Sequence, residues 1–86
     1  SASVQHANTL LARGDYRGAS DYTAAELSKH PGDAELHRIR LRALLGLGEF
    51  DEARHQLALA KASSTRAADR ELYAGKPERM KELRVQ

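Results

Sequence analysis

Four histidines, two arginines one helical turn apart and a scatter of serines and carboxylates are the side chains here that could do chemistry. His6, His30, His37 and His55 follow no zincin spacing, and the absence of cysteine removes the other common zinc ligand, so no metal site is expected. His30, just before Pro31-Gly32, suits a helix C-terminus, where partial positive charge complements the dipole. The serines sit in no G-x-S-x-G turn that would strain and expose a nucleophile. Neither phosphate-cradling glycine motif occurs, and Gly46-Leu47-Gly48 reads as a helix end. No catalytic residue, no cofactor and no enzymatic activity are therefore expected. What remains is recognition. Arg38 and Arg42, at i and i+4, share a helical face and can take a carboxylate between them, although Glu35 offers them a plainer internal partner. Arg13-Gly14-Asp15 spells the tripeptide that integrins read, but a tight turn between helices accounts for all three residues.

The background is that of a small helical domain. Eighty-six residues rich in Ala, Leu, Arg and Glu, with few aromatics and no Trp, favour packed helices over a sheet. A core of that size supplies only a few kcal/mol. The net charge of +2 has both signs interspersed and lacks the basic stripe with stacking aromatics that marks nucleic-acid modules, so nucleic-acid binding is not expected. No apolar run approaches the ~20 residues that span a bilayer, so no membrane insertion is expected. The Ser-Ala-Ser start without an initiator Met fits a processed form or a piece of something longer. The compartment is not fixed by these features, and the cytoplasm is the default expectation.

Apolar spacing and punctuation predict a helix from Ala2 to Ala12, ended by Gly14 in a left-handed conformation, with Asp15 capping the next. The second helix runs from Tyr16 to Lys29, with Tyr16, Ala19, Thr23 and Leu27 inward, and stops at Pro31. Asp33 caps a third, Ala34 to Leu47, whose stripe is Leu36, Ile39, Ala43, Leu44 and Leu47. A fourth runs from Glu49 to about Ala62 with Phe50, Ala53, Leu57 and Ala60 inward. Ser63-Ser64-Thr65 then punctuates, followed by a short fifth helix, Arg66 to Ala74, and a last one, Glu78 to Val85.

Gly14-Asp15-Tyr16 with Ala19, and Gly48-Glu49-Phe50 with Ala53, are one element written twice, and 48 minus 14 gives a period of 34. Such a period implies a helix pair that buries its apolar face by stacking on a copy of itself. Together with Pro31, these residues resemble the tetratricopeptide repeat family. The resemblance implies an all-α, right-handed superhelical stack of antiparallel helix pairs with five to six helices. Unit one would be residues 1–33, unit two 34–65, and residues 66–86 a cap or partial third unit, all within one domain. Gly14, Tyr16, Ala19, Pro31, Gly48, Phe50 and Ala53 would be its structural positions. The chain departs from the family pattern at Ser3 and His37, where a bulky residue is usual, at His6 and Arg40, and at Glu26, where a small one is usual.

In such a stack Glu26 and Arg40 would face one another across the unit boundary, and pairing them avoids a lone buried charge. A Glu26–Arg40 ion pair is therefore expected, the alternative being that each snorkels to water. The resemblance further implies a concave face formed by the first helix of each unit, here Asn8, Leu11, Glu35, Arg38, Arg42 and Leu45, offered to a peptide or helix of another protein. The function so implied is non-catalytic protein–protein interaction. Self-association as a homodimer is expected, if anywhere, around Leu72, Tyr73, Met80 and Leu83. The turn and helix pattern also loosely resembles the helical dimerisation region of metallo-β-lactamase-fold alkylsulfatases, which implies the alternative of a structural docking domain of a larger protein.

Overall fold

Helix starts in this chain are set by short polar side chains that capture free N–H groups. Ser1 Oγ accepts from Val4 N–H, Asp15 Oδ1 from Gly18 N–H at 2.9 Å, and Asp33 Oδ1 from both Glu35 and Leu36 N–H at 3.0 and 3.1 Å. The computed structural model describes residues 1–72, and the first three helices are α1 (Ala2–Ala12), α2 (Tyr16–Lys29) and α3 (Ala34–Leu47). The fourth, α4, spans Phe50–Leu72. No strand occurs among the described residues.

The two glycine turns are built alike. Gly14 N–H donates to Leu11 O and Asp15 N–H to Leu10 O; thirty-four residues on, Gly48 N–H donates to Leu45 O and Glu49 N–H to Leu44 O. Both glycines stand in the left-handed region, at φ 75° and 74°, which a side chain would make costly. Three-residue and two-residue turns of this kind fold each helix back against the one before it.

Helix α3 is the hub. It packs on α1, α2 and α4, whereas α4 touches neither α1 nor α2 along any appreciable length. Its apolar stripe fills two clusters, Leu36 and Ile39 with Ala7, and Ala43 with Leu10 and Ala19, to which Val4, Leu11, Tyr22 and Leu27 add partly buried surface. Leu36, Leu44 and Thr23 are the largest fully buried side chains. Ala19 is small where α1 and α3 must both approach α2. Tyr16 lies at the edge of this packing with its ring over Gly46, where an added Cβ would stand 2.7 Å from Cδ1.

Two expectations about the C-terminal half are corrected. Ser63-Ser64-Thr65 does not end the fourth helix, and the separate helix expected from Arg66 does not form within the described residues, because α4 continues to Leu72. Nothing between Phe50 and Leu72 is Gly or Pro, so the backbone ladder is unbroken, and hydroxyl side chains alone do not stop a helix whose i−4 carbonyls are in place. Phe50 and Leu57, expected inward, are 58% and 43% exposed. Ala53 is buried as expected, and the rest of the interior side of α4 is Gln56 and Ser63. The expected last helix, and Tyr73, Met80 and Leu83, lie outside the described residues.

The Tyr16–Gly46 contact makes a sign-changing prediction. Replacing a helical glycine by alanine ordinarily stabilises by about 1 kcal/mol. Here Gly46→Ala will destabilise by about that much, because the methyl meets the tyrosine ring. In a Tyr16→Ala background the same substitution will stabilise, as read by urea denaturation of the four-member cycle.

Candidate functional site

The seam between α3 and α4 is made of polar groups that read in one direction. The Arg40 guanidinium donates from Nη1 to Ser20 O at 2.6 Å and Ser20 Oγ at 3.0 Å, and from Nε to Gln56 Oε1 at 3.1 Å. Gln56 Nε2 then donates to His37 Nδ1, and His37 Nε2 donates to Pro31 O at 2.7 Å. Only one assignment satisfies every member: Arg40 is always a donor, so Gln56 must present its oxygen there and its NH2 to His37, leaving His37 neutral with the proton on Nε2. Ser63 Oγ reaches the same Pro31 carbonyl at 3.4 Å. No buried side-chain N or O among the described residues lacks a partner.

The expected Glu26–Arg40 ion pair is not formed. Glu26 accepts from Ser3 Oγ at 3.2 Å and lies 3.7 Å from Lys29 Nζ, while Arg40 is held by the neutral acceptors just described. Neither snorkels free. The expected stack would face the two across the unit boundary, but each has a nearer partner on a different neighbour, Glu26 on α1 and Arg40 on α4 and α2.

Residues missed by sequence reasoning were His37 and Gln56, and a signal for them existed in the 34-residue offset. His6 meets the Tyr22 ring edge-on, with centroids 4.5 Å apart. Adding 34 to each gives Arg40 and Gln56, the hydrogen-bonded pair. Likewise Ser3 and Glu26, in contact, correspond to His37 and Ala60, which line one shallow pocket together. Each pair holds equivalent places with different chemistry, and between His6–Tyr22 and Arg40–Gln56 the contact itself recurs although the residues do not.

Besides the pocket shared by His37 and Ala60, two larger depressions border α4 among the described residues. One, of about 390 Å³ between α2 and α4, has Leu27 and Leu59 on its walls and His37, Arg40 and Gln56 at its floor. The other, of about 350 Å³, is an apolar groove between α3 and α4 lined by Leu41, Leu45, Phe50, Ala53, Arg54 and Leu57. Of the residues expected on a concave face, Leu45 lies in this groove and is 49% exposed. Glu35 and Arg38 pair with each other along the helix, Asn8 and Arg42 are exposed, and Leu11 is half-buried against both core clusters. The structure thus puts the arginine pair on the surface with Arg38 already engaged. Arg17 forms a second surface pair, with Glu49, whose hydrogen bond holds the guanidinium pKa above its ordinary value. Asp15 of the Arg13-Gly14-Asp15 turn is occupied as a helix cap. Among the described residues no group of three or more His, Asp or Glu is placed to hold a metal ion, and no helix is long and apolar enough to cross a membrane.

The contribution of the polar seam to holding α4 can be measured. Gln56→Ala will cost about 2 kcal/mol, since it leaves Arg40 Nε and His37 Nδ1 without their partner, whereas Leu57→Ser will change stability by less than about 0.5 kcal/mol. Long-range 1H–15N correlation will show His37 as the Nε2–H tautomer in the wild type and in the Gln56 variant alike, since the Pro31 carbonyl still accepts from Nε2, and the Nδ1 resonance alone will shift as it loses the donated hydrogen bond. A role for the chain has to be argued from this geometry, because no family model, curated protein or solved structure matches it.

Proposed function

We propose that the chain is a non-catalytic protein-interaction module, built as a tetratricopeptide-like stack of two helix pairs, whose docking surface is the face bearing the α3/α4 groove. The observation that carries this reading is the way α4 is oriented. It turns Ala53, Gln56 and Ser63 inward and leaves Phe50 and Leu57, with Leu45 of α3, on an apolar groove open to water. Exposed large apolar residues gathered in one concave strip mark interaction surfaces, whereas the same residues scattered singly would not. The twin glycine turns with identical hydrogen bonds, and the recurrence of contacts at an offset of 34, support the stacked-pair architecture.

Leu45 also belongs to the face on which Asn8, Leu11, Glu35, Arg38 and Arg42 stand, so an extended ligand could run from the groove along α3. On this reading the groove supplies affinity through apolar burial and the exposed arginines supply orientation toward acidic groups. A second reading, that the module is a dimerisation or docking domain of a larger protein, draws on the same apolar strip and differs only in what fills it.

Selection of ligands for the full chain from a displayed library of short peptides, with light scattering of the protein alone, tests both. Under the first reading the protein is monomeric and the selected peptides lose about ten-fold or more in affinity on Leu45→Lys or Phe50→Ser. Loss on Arg38→Ala with Arg42→Ala as well would extend the site to the arginine pair. A dimer dissociated by Leu45→Lys establishes the second reading, and a monomer whose ligands ignore the groove substitutions overturns both.

A further inference from the structure

The internal repeat identifies what the groove is shaped to hold. Subtracting 34 from its lining residues Leu41, Leu45, Phe50, Ala53, Arg54 and Leu57 gives Ala7, Leu11, Tyr16, Ala19, Ser20 and Thr23. These are the residues that α3 covers in the first pair. Ala7 clusters with Leu36 and Ile39, Ala19 with Ala43, Leu11 packs on both clusters, the Tyr16 ring lies over Gly46, and Ser20 accepts two hydrogen bonds from Arg40. The groove is therefore the continuation, one repeat later, of an interface whose occupant is visible: one amphipathic helix.

The charges at the groove are inverted with respect to that interface. Where α2 offers Ser20 as an acceptor to Arg40, α4 offers the cation Arg54. Where α2 offers Arg17 to Glu49, just past the end of α3, α4 offers Asp51. Arg54 and Asp51 pair with each other at present, with side chains 73% and 94% exposed, and so exposed a pair is readily exchanged for other partners.

The chain's own repeat does not supply the occupant in register. The place of Leu36 falls on Arg70, within α4, and the place of Ala43 falls on Pro77. Nor does a second copy stacked head to tail, because the face of α1 equivalent to Leu36, Ile39, Arg40 and Ala43 is Ala2, Gln5, His6 and Thr9, which lacks the apolar knobs. Resting on the interaction-module reading above, we propose that the α3/α4 groove seats one amphipathic helix of a partner protein, docked as α3 docks on α1 and α2. That helix carries a small residue against Phe50, a carboxylate against Arg54 and, one turn past the small residue, a cation against Asp51.

The probe is a labelled peptide with the sequence Ala34–Glu49 carrying Arg40→Glu and Glu49→Lys, compared by fluorescence anisotropy with the unaltered sequence. The full chain will bind the charge-inverted peptide about ten-fold more tightly. Asp51→Arg with Arg54→Glu in the protein, both at surface positions, will reverse that order, and Gly46→Phe in the peptide will abolish binding. An order that survives the reversal overturns the proposal. So does a dimer in light scattering that excludes the peptide, which would make a second copy the occupant. Contacts from Leu45 or Leu57 methyls to Met80 or Leu83 within one chain, seen by nuclear Overhauser effects, would make it the chain's own terminus and also overturn it. If neither peptide binds while library-selected ligands still depend on Leu45, the helix assignment falls and the interaction module stands; if nothing depends on the groove, both fall.

Discussion

A guanidinium without a carboxylate governs how the second half of this protein is assembled. Arg40 stands half-buried on α3, and among the described residues no acidic side chain lies within ion-pair distance of it. Desolvating a cation costs several kcal/mol unless hydrogen bonds replace the lost water. Ser20 and Gln56 do so from opposite sides, one on α2 and one on α4. Because Gln56 must face Arg40 and His37 together, it fixes the rotation of α4 about its own axis. Phe50 and Leu57 then fall about 100–120° around the helix from Gln56, and Leu59 about 60° the other way. Apolar side chains line both flanks of α4 because a polar contact occupies its centre line.

Local chemistry was the most legible part of the sequence. Asp15 and Asp33 as caps, Gly14 in the left-handed region and Gly48 as a helix end act within a few residues of themselves, so the signal and its consequence lie in one window. The apolar stripe of α3 was also legible, as Leu36, Ile39, Ala43 and Leu44 repeat at helical spacing and all reach the core. The face of α4 was not. Phe50, Ala53, Leu57 and Ala60 make an ordinary amphipathic pattern, of which Ala53 is buried and Phe50 and Leu57 are exposed, and only a hydrogen bond from a residue sixteen positions earlier shows that the buried stripe runs from Ala53 through Gln56. The same limit explains Glu26 and Arg40. One wheel shows which side a charge takes, but the choice among partners on different helices is made in three dimensions.

Comparison of the helix pairs shows what the period of 34 preserves. Ser3 against Glu26 is small against large, and His37 with Ala60 is large against small, so the space is shared differently while the helices keep their places. His6 on Tyr22 is an aromatic contact, and Arg40 on Gln56 a hydrogen bond, at equivalent sites. Packing constrains the sum of two side chains more tightly than either one. A departure from an expected residue type is therefore best judged with its partner: Glu26 looked anomalous alone and is ordinary beside Ser3.

The length of α4 bears on what docking would accomplish. α3 has 14 residues and α4 has 23, a difference of nine, so at 1.5 Å per residue α4 extends about 13 Å farther than α3 can accompany it. Leu72, near its end, is exposed. A helical stretch of two to three turns that depended on its own backbone hydrogen bonds would be marginal in water even when rich in Ala, Arg and Glu. The α3/α4 groove lies along the first half of α4, and burial of Phe50 and Leu57 there would add apolar area to a helix whose buried side now carries Gln56 and Ser63. Binding at one flank would then raise the stability of α4 through linkage, without requiring any change in how α1, α2 and α3 pack. On the proposed docking, α4 is the element whose stability would be coupled to occupancy of the groove.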